Sequence, residues 1–207
     1  MSFIDRLKNK IRVTLYKTIL RKYAYGNRIA RSTWEKQFSD GFWDYLYSPD
    51  EAAHYEAFVG LFNQYTQKGA VLDAGCGQGV LYNYLKKNGG SFDYLGIDIS
   101  AEAVAAAGKA FPETHFKQVD FDKEKLEEKF DVVMFNETLS YFVRPVKKIA
   151  TCIEENLKPG GYMMISLCDY IGHDEIWTKL KSQYDFLDFK IVENDKGQKW
   201  KMGIFKP

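Results

Sequence analysis

The chain has 207 residues, 45% hydrophobic and 16% aromatic, enough to bury the core of one domain with an extension. No apolar run approaches the roughly 18 residues that span a bilayer. Lys or Arg interrupts the N-terminal apolar residues every few positions, which excludes a secretory signal and reads as a cytoplasmic protein. The net charge of +1 averages two opposed parts: residues 1–31 hold nine Lys or Arg against one acid, Asp5, so the other 176 residues carry a net −7. Cys76, Cys152 and Cys168 have neither close pairing nor metal-ligand spacing and read as reduced thiols, and no metal site is expected.

In chain order, Ile4, Leu7, Ile11 and Leu15 recur at helical spacing within the basic stretch, giving an apolar stripe flanked by cations. Such a helix either lies on an anionic membrane surface or packs its stripe on the domain or a second subunit. An organelle transit peptide is disfavoured because Ser2 is the one serine of the first thirty residues. Nucleic-acid binding is disfavoured because the bulk of the chain would repel phosphates. From Arg28 to Lys68 the pattern is helical and rich in aromatics. Ser39-Asp40-Gly41 breaks it, and Ser48-Pro49-Asp50-Glu51 reads as a cap opening a helix that runs to about Gln67. An apolar strand then enters Asp73-Ala74-Gly75-Cys76-Gly77-Gln78-Gly79, with a helical pattern from Val80. Further strands are read at Phe92–Ser100, His115–Phe121 and Phe130–Glu137, and Leu157–Gly161 reads as a turn before a fifth. A short helix around Ile176–Ser182 precedes two alternating strands, Phe186–Glu193 and Lys199–Phe205, joined by a turn at Asn194–Gln198. The division expected is a helical extension over residues 1–67 and an α/β domain over 68–207.

The loop at 75–79 is a nucleotide cradle: its glycines let backbone approach a ligand, and a helix N-terminus with unpaired N–H groups follows. A dinucleotide loop would need its third glycine at position 80, which is Val80. The Gly-x-Gly-x-Gly form with Asp73 two residues before it resembles motif I of the class I S-adenosylmethionine-dependent methyltransferases. Asp98 stands 19 residues beyond Gly79 at a strand end, where a carboxylate accepts ribose hydroxyls. The segments at Asp120-Phe121, Asn136-Glu137 and Leu157–Gly161 follow in that family's order.

This resemblance implies a Rossmann-like seven-stranded mixed sheet, order 3-2-1-4-5-7-6 with strand 7 antiparallel. It implies S-adenosylmethionine as cofactor and S-adenosylhomocysteine as product. Cofactor contacts are expected from Asp73, Gly75, Gly77, Asp98, Ile99, Asp120, Phe121 and Asn136, and from Trp34 in a cover formed by the Trp34–Trp43 segment. Glu137, Tyr141 and His173 are the leading candidates for a catalytic base, with Asp169, Asp40 and His54 behind them. Each has a bland alternative: Glu137 orienting the cofactor, His173 opening a surface helix, His54 solvated.

Glu137-Thr138-Leu139-Ser140-Tyr141 lacks the prolines of nucleobase amino methyltransferases and is similar to the corresponding tract of small-molecule and glycan methyltransferases, including nodulation-type N-methyltransferases. The resemblance therefore implies a small-molecule or sugar acceptor, methylated on O or N. With a membrane-seeking N-terminal helix at residues 2–20, that acceptor could be a lipid-linked glycan of cell-surface polysaccharide synthesis, handled at the inner face of the membrane. Two other classes stay open, a non-catalytic binding partner on the same fold and an NAD-dependent oxidoreductase, as does oligomer formation.

Overall fold

In the computed structural model, residues 3–66, 68–88 and 91–207 are described, with side chains from residue 10 onward except at 91. Helix α1 spans Phe3–Thr18, α2 Arg31–Ser39, and α3 Pro49–Tyr65. Pro49 takes the first turn of α3, where its missing N–H has no helical partner to lose, and Asp50 and Glu51 meet the positive end of the helix dipole. Ser48 has the extended backbone of a cap, but its side chain makes no capping hydrogen bond.

Strand β1 (Lys68–Ala74) leads to α4 (Val80–Lys87), β2 (Ser91–Asp98) to α5 (Ala101–Ala110), and β3 (His115–Gln118) to β4 (Phe130–Asn136). Helix α6 (Pro145–Glu155), β5 (Leu157–Cys168), α7 (His173–Lys181), β6 (Phe186–Glu193) and β7 (Lys199–Phe205) complete the chain. The seven strands form one sheet in the order β3-β2-β1-β4-β5-β7-β6. β1 to β5 pair in parallel, while β7 runs antiparallel to both β5 and β6.

The central strands are apolar on both faces because helices cover both. Leu72, Val133, Phe135 and Ile165 point into one core, with Ile149 of α6 and Leu180 of α7. Their neighbours Val71, Val132, Met134 and Met164 point into the other, with Phe58 and Phe62 of α3 and Leu81 and Leu85 of α4. Helix α3 is therefore a layer of the sheet's own core, and the helical extension does not stand apart from the domain at this point. The turn expected at Leu157–Gly161 is drawn into β5: Leu157 pairs with Phe130, the chain bulges, and pairing resumes at Tyr162 opposite Val132.

Helix α1 is held at its far end, where Tyr16 is buried and donates to the Ile171 carbonyl at 3.0 Å. Ile11, Leu15 and Ile19 remain exposed, so the described part of the stripe does not pack on the domain. The side chains of Ile4 and Leu7 lie outside the described residues. Among the described residues no helix is long and apolar enough to cross a membrane.

Candidate functional site

Strand order reverses on either side of β1, and that switch point opens a crevice at the carboxyl ends of the parallel strands. The loop after β1 is tied there to the end of β2. The Ile97 carbonyl accepts from Gly75 N–H at 2.7 Å and Cys76 N–H at 3.0 Å. The Asp98 carboxylate accepts from Gly77 N–H at 3.0 Å and Ser100 N–H at 2.8 Å. Gly75 has φ +86°, and a Cβ on it would stand 2.4 Å from the Thr138 side chain, which itself donates to the Ala74 carbonyl at 2.5 Å. Gly77 has φ +52°, and a Cβ there would meet only the Phe38 ring at 3.6 Å, so its bare face opens toward the cover.

Every residue named above as a leading catalytic or cofactor candidate lines one cavity of about 280 Å³. Two of them bring buried acceptors that have no hydrogen-bond partner among the described residues, Asp73 Oδ1 and Asn136 Oδ1, at the ends of adjacent strands. The other Asp73 oxygen accepts from the Tyr94 hydroxyl at 2.6 Å. Burial pushes the Asp73 carboxyl up to about 7, the Tyr94 bond opposing and Asp98 adding to the rise. Burial likewise raises Asp98 to about 6, against the hydrogen bonds it accepts.

Arg28, which the sequence did not single out, donates to both Asp120 oxygens at 2.8 and 2.6 Å and to Asp122 at 2.6 Å. Asp120 Oδ2 also meets Lys123 Nζ at 3.2 Å, whereas among the described residues Oδ1 accepts from Arg28 alone and keeps a lone pair for a ligand amino group. Glu35 was missed as well. From α2 it accepts from Ser100 Oγ at 2.6 Å, Ala101 N–H at 3.0 Å and Glu102 N–H at 3.1 Å, capping α5 from outside. Against the desolvation that would raise it, these bonds hold its carboxyl down to about 2. The cap therefore contributes fully above about pH 4.5, the ordinary value for the group, and fades as pH falls toward 2. Loss of this cap in Glu35→Ala costs about 1 kcal/mol and lowers Tm by about 2 to 4 °C, measured by thermal unfolding at pH 7.

Through Glu35, α2 is tied to the start of α5, which sets the cover over the crevice. Trp34 packs on Trp43 at 5.6 Å between ring centroids and edge-on to Tyr141 at 4.9 Å, and Phe38 lies tilted against Trp43 at 6.2 Å. Beneath it, Glu137 has the left-handed φ +61° unusual for a side-chain-bearing residue. Its carboxylate accepts from Ser166 Oγ at 2.6 Å and Cys168 N–H at 2.7 Å. Burial raises its pKa against those bonds, and Glu51 raises it further. Burial also raises Tyr141 well above the usual phenol value. His173 does open α7, but it is buried rather than on the surface; its Nδ1 lies 2.7 Å from the Cys168 carbonyl, and burial lowers its pKa.

The remaining base candidates stand outside the cavity. Asp40 is exposed and paired with Lys36 at 2.5 Å, and Asp169 is exposed near Lys201. His54, read as solvated, is instead fully buried, stacked on Trp200 with centroids 4.8 Å apart and with its pKa pushed by burial down to about 3. Its neighbour Glu51 lines the cavity instead.

Residues 66–205 match the methyltransferase domain family model, and the chain belongs to that family, whose cofactor is S-adenosylmethionine. It is 28% identical over 127 residues to the ribosomal RNA small subunit methyltransferase C of Haemophilus influenzae, covering 58% of this chain and 38% of that protein. It is 23% identical to the ribosomal protein L11 methyltransferase of Campylobacter concisus over all of this chain and 77% of that one. Its fold matches N-methyltransferase NodS from Bradyrhizobium japonicum, solved with S-adenosylhomocysteine, at TM-score 0.72 and 16% identity, covering 85% and 97% of the two chains.

The site suits the cofactor. Among the described residues Asp73 Oδ1 and Asn136 Oδ1 are buried acceptors without a hydrogen-bond partner, the Asp98 carboxylate lines the same cavity, and Gly77 leaves room beside them.

Proposed function

We propose that this protein transfers the methyl group of S-adenosylmethionine to a small acceptor, a small molecule or a sugar, held beneath the Trp34–Trp43 cover. Asp73, Asn136 and Asp98 hold the cofactor's amino-acid and ribose parts, while Ile99, Asp120 and Phe121 bound its base. Bound S-adenosylmethionine supplies an already activated methyl, so the protein's task is to align a nucleophile about 3 Å from it and exclude water. The observation that carries this reading is the enclosure: the cradle continues into a chamber roofed by Trp34, Trp43 and Tyr141, with Tyr45, Glu51 and Glu137 on its walls.

Two relatives are named for ribosomal RNA and ribosomal protein. An RNA acceptor is disfavoured here because the carboxyls of this chamber would repel phosphates. A sugar carried on a lipid at the inner face of the membrane suits the exposed apolar residues and cations of α1.

The cofactor assignment is tested by its pH dependence. Asp73, raised to about 7, must be ionised to hold an ammonium, so binding expels its proton at lower pH. Affinity for S-adenosylmethionine therefore falls by about tenfold between pH 8 and pH 6. Calorimetry in buffers of different ionisation enthalpy should detect proton release at pH 6, and Asp73→Asn should remove that release. For folding the sign is opposite: with its pKa raised above 3.8, Asp73 makes the ligand-free protein more stable as pH falls from about 7 toward 4. An affinity independent of pH across this range would overturn the assignment.

A further inference from the structure

The cavity carries more negative charge than the cofactor reading uses. Asp73, Asp98 and Asp120 belong to that reading, and Asp122 is paired with Arg28. Glu51 and Glu137 are left over. Glu51 is 5% exposed on the first turn of α3; the His54 ring nitrogen lies 3.5 Å from its carboxylate but forms no hydrogen bond, and Asp50 and Glu137 add like charge nearby. That ring is kept neutral by burial, so it brings no compensating charge. Among the described residues the basic groups lining the cavity are Arg28, already committed to Asp120 and Asp122, and His173, whose protonation burial disfavours.

Two enclosed carboxyls without a cation are costly. The surfaces beside them are aromatic: Trp34, Trp43, Tyr45, Tyr55 and Tyr141 line the same chamber. Ring faces attract a cation, and carboxylates attract it more strongly still. A hydroxyl acceptor would use one carboxylate as base and leave the second unpaired.

Resting on the methyltransferase reading above, we propose that the acceptor is a primary or secondary amine that enters as its ammonium cation, with Glu137 as counter-ion and Glu51 as the group that takes its proton. The two carboxylates divide the work by their hydrogen bonds. Glu137 accepts from Ser166 and Cys168, which favours its ionised form, whereas among the described residues no side-chain hydrogen bond stabilises the charge on Glu51. The ammonium N–H proton passes to the Glu51 carboxylate, which frees the nitrogen lone pair. That pair forms the new N–C bond as the methyl carbon's bond to sulfur breaks, its electrons staying on sulfur as a neutral thioether. The positive charge is returned to nitrogen, as a methylated ammonium beside Glu137.

The test uses the full chain loaded with S-adenosylhomocysteine and pairs of probes that differ in one group: benzylamine and benzyl alcohol, cyclohexylamine and cyclohexanol, glucosamine and glucose. At least one amine should bind about tenfold or more tightly than its alcohol, and Glu137→Gln should abolish the preference. Glu51→Gln should keep cofactor affinity while methyl transfer to that amine, at saturating amine, falls about a hundredfold or more. The comparison on the unaltered protein stands even if either variant fails to fold. If S-adenosylmethionine binds but no amine is preferred to its alcohol, this proposal is wrong and the methyltransferase reading survives. Failure to bind S-adenosylmethionine removes both.

Discussion

Replacing Asp98 with alanine weakens S-adenosylmethionine binding by about 2 to 4 kcal/mol, roughly 30- to 1,000-fold, because the ribose hydroxyls lose a charged acceptor. The structure adds a second reason. Asp98 accepts from Gly77 N–H and Ser100 N–H, so alanine also releases the glycine loop from the end of β2 and leaves two backbone donors without their partner. Asp98→Asn keeps one carbonyl acceptor and should fall between the two. Gly77→Val acts differently: its φ of +52° strains a β-branched residue, and the side chain enters the space facing Phe38, so binding should be abolished. Isothermal calorimetry on folded variants measures each effect. Parent-like affinity in Asp98→Ala would mean that the carboxylate only ties the two loops together.

The parts of this protein written in local pattern were legible from sequence. The hairpin strands Phe186–Glu193 and Lys199–Phe205 fall where alternation put them, and the turn is closed by Asn194 Oδ1 accepting from Lys196 and Gln198 N–H at 3.0 Å each. The glycine spacing with Asp73 and Asp98 was legible because a tight loop tied to the neighbouring strand end imposes residue types at fixed separations, and these residues do line one cavity. What stayed hidden depends on distant partners. Glu35 reads as an ordinary helix acid with Arg31 four residues before it, yet its main partners are at Ser100–Glu102. Arg28 reads as one more cation of a basic stretch, and nothing local couples it to Asp120. Glu51 was legible as a first-turn acid suited to the helix dipole, but its burial follows from how α3 packs on the sheet. His54 went the same way, since a helix of mixed polarity gave no sign that Trp200, far along the chain, would cover its ring.

The N-terminal helix should carry the full chain onto anionic vesicles at low salt and leave neutral ones untouched. The exposed row Ile11, Leu15 and Ile19, with Tyr23 beyond it, is apolar surface that the domain does not cover. Lys10, Lys17 and Lys22 are exposed along the same stretch. Not every cation is free for lipid: Arg12 donates to Asn27, Arg21 pairs with Glu175, and Arg28 is held by Asp120 and Asp122. Each lysine that reaches an anionic surface contributes about 1 kcal/mol, and the attraction should fade as salt rises through roughly 0.5 M. Removing residues 2–20 is a poor test by itself, because it strips Tyr16 from Ile171 and so disturbs the segment leading to His173. Charge reversal at Lys10 and Lys17, with Ile11→Ser and Leu15→Ser, leaves Tyr16 in place. Co-sedimentation should then fall to background while S-adenosylmethionine affinity is unchanged. Should the unaltered protein ignore anionic vesicles at low salt, and the same substitutions instead lower its hydrodynamic mass, the stripe meets a second copy of the chain and the lipid-linked acceptor loses its support.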